Sequence, residues 1–257
     1  MIGALAGDIV GSVYEAAPIK TTDFPLFAPG ARFTDDSVLS VAVAAAILDQ
    51  RPYAEAIRDF GRRYPRAGYG ARFQDWLARP NPRPYGSWGN GSAMRVSPVG
   101  FAFDTEAAVL AEAQRSAECT HDHPEGIKGA QAVALAVFRA RTGATKPAIR
   151  AELQERFGYD LTRTLERIRP GYGFDVSCQG SVPEALLCFL EGRDWESSVR
   201  NAVSLGGDSD TMACIAGGVA EAFHGAVSPQ VRAQVRDALA DELWQVAERF
   251  CSTFAHT

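Results

Sequence analysis

The stretch Val38–Leu48, Val-Leu-Ser-Val-Ala-Val-Ala-Ala-Ala-Ile-Leu, is apolar nearly all round. A helix without a polar face has to be covered on every side, so this segment predicts a buried helix inside a body of other helices. The chain offers that cover. Helical patterns run over Tyr53–Tyr64, Thr105–Cys119, Gly126–Arg141, Lys146–Phe157, Val182–Gly192, Trp195–Leu205, Thr211–His224 and Arg232–Phe250. Small residues crowd Thr211–His224, where Ala213, Ala216, Gly217, Gly218 and Ala220 suit close helix–helix approach. Glycine in a helix costs about 1 kcal/mol relative to alanine, so packing or a site has to offset it. Alternating strand patterns are nearly absent and no βαβ rhythm appears. The reading is an all-α fold, one domain over residues 1–257, a length that can bury a substantial core.

Several classes are disfavoured. The net charge of −5 and the lack of a Lys/Arg run argue against a nucleic-acid or membrane-surface patch. No apolar run approaches the roughly 20 residues that span a bilayer. The N-terminus is apolar but short, lacks a basic leader and carries Asp8, so it does not read as a signal peptide. Cys119, Cys178, Cys188, Cys214 and Cys251 are odd in number and widely spread, without a Cys-x-x-Cys pair. A disulfide framework or zinc site is not expected, and the expected location is cytoplasmic.

Two segments concentrate oxygen donors: Phe33-Thr34-Asp35-Asp36-Ser37 and Gly206-Gly207-Asp208-Ser209-Asp210-Thr211. Each stands just ahead of an apolar helix. Successive helical residues point about 100° apart, so Asp35 and Asp36 do not converge easily within a helix. Asp208 and Asp210 share one side only on extended backbone. Both segments read as loop-to-helix junctions, where acidic groups meet the favourable end of the helix dipole. One account is N-capping by Thr34, Asp35, Asp208 and Asp210. The other is a cation site, because several carboxylates at buried helix starts need a cation or protons. Carboxylates with threonine hydroxyls suit Mg²⁺ or Mn²⁺, and a pair of ions fits the number of donors. Asp8 and Glu15 stand seven apart, as on one face of a helix ending ahead of Pro18, from which Glu15 reaches a pocket.

The motifs Gly-Asp-x-x-Gly-Ser-x-Tyr-Glu at 7–15, Phe-Thr-Asp-Asp-Ser at 33–37, Ser-Trp-Gly-Asn-Gly-Ser-Ala-Met-Arg at 87–95, Thr-His at 120–121 and Ser-Leu-Gly-Gly-Asp-Ser-Asp-Thr at 204–211 occur in this order. Together the set resembles the ADP-ribosylglycohydrolase family. The resemblance implies a compact orthogonal multi-helix bundle with a central dimetal site of two Mg²⁺ or Mn²⁺. It implies metal ligands Thr34, Asp35, Asp36, Asp208, Asp210 and Thr211, and catalytic roles for Glu15, Asp35 and Asp36. It implies that Ser87, Trp88, Gly89, Asn90, Gly91 and Met94 hold diphosphate and adenosine, joined by Gly68, Tyr69, Gly70 and His121. Trp88 falls where relatives often carry tyrosine, and its ring suits stacking on adenine.

The implied reaction is metal-dependent hydrolysis at C1″ of ADP-ribose, freeing it from a modified protein or small conjugate; nucleic acid enters only as a modified substrate. Ser92 replaces a glycine common in vertebrate members, His123 adds a second histidine beside His121, and the chain is shorter than those enzymes. The rival readings are a dimetal phosphohydrolase and a non-catalytic ADP-ribose binder. No Gly-x-x-x-x-Gly-Lys-Ser/Thr loop is present, which removes one common phosphohydrolase design. His121-x-His123 ahead of Pro124 reads as a loop feature, Ser181 as an N-cap, and Trp76, Trp195 and Trp244 as core or rim residues.

Overall fold

The computed structural model describes residues 1–254. The helices are α1 (Ile2–Gly11), α2 (Asp35–Leu48), α3 (Tyr53–Arg63), α4 (Ala71–Ala78), α5 (Gly91–Met94), α6 (Ser97–Ala102), α7 (Glu106–Glu118), α8 (Pro124–Arg141), α9 (Lys146–Phe157), α10 (Leu165–Ile168), α11 (Cys178–Glu191), α12 (Trp195–Ser204), α13 (Ser209–His224), α14 (Pro229–Ala238) and α15 (Asp241–Thr253). Among the described residues the only extended pairing is an isolated bridge between Gly89 and Ser177. None of these helices is long and apolar enough to cross a membrane.

The all-helical expectation holds, and α13 explains how the helices pack. It lies against α1, α2, α5, α6, α8, α11 and α12. Its small residues let α1 come in backbone to backbone. A Cβ on Gly7 would stand 2.1 Å from the Ala213 carbonyl oxygen, and one on Gly217 would stand 2.3 Å from that of Gly3. Glycines 3, 7 and 11 recur every four residues, which places them on one face of α1. The propensity lost to glycine is thus offset by a contact no other residue permits. Every residue of α1 is buried, and α2 is buried continuously from Asp36 to Ala46. Side chains such as Leu5, Ile57, Leu135 and Phe189 are completely enclosed, each contributing about 1.5–3 kcal/mol of transfer free energy.

Three expectations need correction. Glu15 does not share a helical face with Asp8. α1 ends at Gly11, where the Ser12 amide bonds back to the Asp8 carbonyl, and Glu15 follows in a bend. Ser181 is not the cap of α11. Ser177 accepts from the Gly180 amide at 3.1 Å, so the helix starts at Cys178, and the Ser181 hydroxyl donates back to the Ser177 carbonyl at 2.7 Å. Arg232–Phe250 is not one helix. Leu239 turns extended, α14 ends at Ala238, and α15 begins at Asp241 with Leu243, Trp244, Ala247 and Phe250 turned inward.

Candidate active site

The starts of α2 and α13 and the middle of α1 meet at the floor of a cleft of about 500 Å³. Thr34 caps α2, accepting from the Asp36 amide, which puts Asp35 and Asp36 in the first turn. Asp208 stands just ahead of α13 without a side-chain cap bond, and Asp210 and Thr211 follow in the first turn. Gly206 (φ +64) brings the chain into that start in a conformation glycine adopts freely. Both capping and acidic convergence are therefore present in one arrangement.

The convergence is close. Asp8, Asp36 and Asp210 bring carboxylate oxygens within 4.8 Å of one another, and so do Glu15, Asp208 and Asp210. Asp210 belongs to both groups, so the two form one continuous acidic patch. Asp35 lines the same cleft but falls outside both groups. The Thr211 hydroxyl donates to Asp36 Oδ2 at 3.2 Å, tying α13 to α2. Asp36 Oδ1 is buried and has no hydrogen-bond partner.

Asp8 is the floor residue whose part the sequence reading left open. It is completely buried and accepts from the Thr34 amide (2.9 Å) and hydroxyl (2.6 Å), from the Ser37 amide (3.1 Å) and from the Ser37 hydroxyl. It clamps α1 to the start of α2. In the sequence it stood in the motif at 7–15, a carboxylate inside an otherwise apolar segment, without an assigned role.

Crowding like charges in a dry floor disfavours ionisation. Burial, then Asp210, push the Asp8 carboxyl up to about 7 despite its hydrogen bonds. Burial, Asp210 and Asp8 push Asp35 up to about 8. Asp36 and Asp208 are held well above the usual carboxylate range by burial and then by Asp210. Glu15 is exposed at the mouth of the floor. Its carboxyl is raised by partial burial and by Asp210, against a smaller opposite pull from Arg32.

The opposite wall comes from residues 85–95 and the loop ahead of α11. The Asn90 amide donates to the Val176 carbonyl (2.8 Å), and the Cys178 amide to the Trp88 carbonyl (2.9 Å), pinning the two loops together. The Asn90 side chain donates to Asp208 Oδ2 at 2.7 Å and to the Ser181 hydroxyl at 3.2 Å, linking this wall to the floor. Ser87, Gly89, Asn90, Gly91, Met94 and His121 line the cleft, as do Gly68 and Gly70. Tyr69 is buried behind the lining, packed on the cleft residue Phe73 at 5.0 Å. Trp88 is 45% exposed on the outer side of the rim. Phe174 and Val176, exposed at 60% and 46%, line the cleft in its place. His123 caps α8, accepting from the Glu125 amide at 3.1 Å, as its loop position suggested.

Basic groups gather at the far end. Arg72 lies over the Tyr85 ring at 5.0 Å, and Tyr85 packs on His121. Arg95 lines the same end and is completely buried. Sequence reasoning assigned no role to Arg32, Arg72, Tyr85, Arg95, Phe174 or Val176. Only Arg95 stood in a quoted motif.

The ADP-ribosylglycohydrolase family model matches residues 1–257. The ADP-ribosylhydrolase ARH3 of Homo sapiens is 28% identical, covering 88% of this chain and 84% of that protein. The ADP-ribosylhydrolase ARH3 of Danio rerio is 27% identical, covering 97% and 88%. A solved structure titled ADP-ribosylglycohydrolase-related protein complex superposes with a TM-score of 0.71 at 28% identity, over 97% of this chain and 95% of that one. The match over the whole length, on a helical body with this acidic floor, places the chain in the ADP-ribosylglycohydrolase family as a glycohydrolase enzyme.

Proposed function

We propose that this enzyme hydrolyses the glycosidic bond at C1″ of an ADP-ribose conjugate, using two Mg²⁺ or Mn²⁺ ions held by Thr34, Asp35, Asp36, Asp208, Asp210 and Thr211. The observation that carries it is Asp36 Oδ1, a buried acceptor without a partner amid carboxylates that repel one another. Such a floor has to bind protons or cations, and hard oxygen donors favour the divalent ions. When bound, these ions supply the charge that lets the carboxylates ionise together and Lewis acidity toward water and sugar hydroxyls.

The protein's own groups divide the remaining work. The transition state of glycoside hydrolysis resembles an oxocarbenium ion, and the ionised floor stabilises positive charge at C1″. Glu15 is the exposed member of its group, and its raised carboxyl suits it to take a proton from the attacking water. Asn90 holds Asp208 in place. The Ser87–Gly91 loop, Met94, Gly68, Gly70 and His121 bind the ADP part, with Phe174, Val176 and the outer Trp88 near its base. The family match from 1 to 257 supports one catalytic domain.

The test is product analysis with the purified protein. Arginine-linked and serine-linked ADP-ribosyl peptides, O-acetyl-ADP-ribose and ADP-ribosylated DNA are incubated with Mg²⁺, Mn²⁺ or EDTA. Free ADP-ribose appearing only with metal is expected, and it names the linkage. AMP or inorganic phosphate as product, or tight binding without release, overturns the proposal.

A further inference from the structure

Among the described residues Arg95 is the largest fully enclosed side chain, and it forms no ion pair. Its Nη2 donates to the Ser116 carbonyl (2.8 Å) and to the Thr120 hydroxyl (2.9 Å), while Nε and Nη1 have no partner. Thr120 is itself completely buried, and its oxygen lies 2.7 Å from His121 Nδ1.

This arrangement decides the histidine tautomer by hydrogen-bond accounting. A guanidinium can only donate, so Arg95 occupies a lone pair of the Thr120 oxygen. The threonine proton then needs an acceptor. The Ser116 carbonyl, its local candidate four residues earlier, makes no hydrogen bond with the Thr120 hydroxyl and accepts from Arg95 and from Cys119 Sγ. Cys119 Sγ, also beside the Thr120 side chain, is a weak acceptor, and the strong acceptor in range is His121 Nδ1 at 2.7 Å. A proton on Nδ1 would aim two donors at the hydroxyl and leave its buried hydrogen with only the weak sulfur acceptor, an arrangement that folded proteins avoid. Burial, Arg95 and Arg72 keep the imidazole from taking a second proton. A neutral ring that accepts at Nδ1 carries its proton at Nε2.

Nε2 faces the cleft loop. A Cβ on Gly91 would stand 3.2 Å from it, and one on Gly89 would stand 3.7 Å away. We infer that Arg95 and Thr120 are positioning residues that fix His121 with Nδ1 accepting and Nε2–H donating into the cleft, toward an anionic oxygen of the substrate. The nearby Arg95 and Arg72 charges favour an anion at that place. The tautomer stands on the geometry of Arg95, Thr120 and His121; its use on a diphosphate oxygen rests on the function proposed above.

The test is ¹⁵N NMR of the imidazoles in the full-length protein, with His121 assigned through His121→Gln. The expected signature is a pyridine-type Nδ1 shifted by an accepted hydrogen bond, and a pyrrole-type Nε2–H. In Thr120→Val, which keeps the shape, the Nδ1 resonance moves to its unbonded position, and Thr120→Ser restores it. In the ADP-ribose release assay, Thr120→Val raises KM by about tenfold and lowers kcat less, as loss of a binding interaction does. A proton found on Nδ1 in the unmodified protein, or a Thr120→Val resonance that does not move, overturns the inference. The NMR readouts are independent of whether ADP-ribose is the product, so each proposal fails by its own experiment.

Discussion

The floor and the far end of this cleft both bury charge, in opposite ways. At the floor, carboxylates face one another with only Arg32 beside Glu15 as a counter-charge, and Asp36 keeps an acceptor unbonded. At the far end, the Arg95 guanidinium is enclosed with two donor groups unbonded and no carboxylate beside it. Buried charge is ordinarily paired, because its desolvation is otherwise uncompensated. On the function proposed above, the floor carboxylates receive cations and the opposite end receives an anion. Asn90 joins them, its side chain on Asp208 and its backbone in the far wall. The proposed function reads this polarity as one elongated ligand, its sugar at the floor and its phosphates beyond.

The strongest way to break this contrast is Asp36→Asn. Loss of a metal-binding carboxylate should cost more than outer residues do, so release of ADP-ribose is expected to fall by more than about 100-fold. Metal-free protein should keep its melting temperature or gain, since one repelling charge is gone. Full turnover in Mg²⁺ would remove the cation reading. Asn90→Ala tests the link between the two ends. It frees Asp208 from its donor, and Mn²⁺ affinity measured by calorimetry should weaken by about 10- to 100-fold.

The pH dependence sharpens the floor alone. The Asp8 and Asp35 carboxyls are raised in the folded protein from the ordinary 3.8 to about 7 and about 8. Between those limits the folded state binds more protons than the unfolded chain, so stability falls as pH rises from about 4 to about 8. Melts in EDTA should show that decline, and saturating Mg²⁺ should flatten it by binding the folded state. Stability in EDTA that rises across this range would refute the crowded floor. The smallest effect belongs to the far end. In Gly91→Ala the new methyl crowds His121 Nε2 at 3.2 Å, and KM should rise by about three- to tenfold with kcat retained, as expected for displacing one hydrogen-bond donor.

The helical body was legible where a residue pattern reports its surroundings. Val38–Leu48 is apolar all round because α2 is enclosed, and the small residues of Thr211–His224 are there because α1 lies directly on them. The partner helix was less legible. Glycines at 3, 7 and 11 read locally as poor helix formers, and only the tertiary contact explains them. The two acidic segments were legible because helix caps and metal donors draw on the same residues. Asp8 and Arg95 were not assigned, because nothing local distinguishes a buried charge from a solvated one. The exposure of Trp88 was not legible either, because its backbone is held by the Cys178 amide of a loop distant in sequence.

The glycine contact between α1 and α13 has a consequence for how such an enzyme can change. Asp8 and Asp210 ride on two backbones that touch, so their separation is set by main-chain dimensions instead of by replaceable side chains. Mutation can seldom respace that datum, because any added carbon collides with a carbonyl. By contrast, a Cβ on Gly86, Gly171 or Gly173, in the loops that wall the cleft, would meet nothing within 4 Å. Change is therefore admitted along the rim far more readily than in the spacing of the two aspartates.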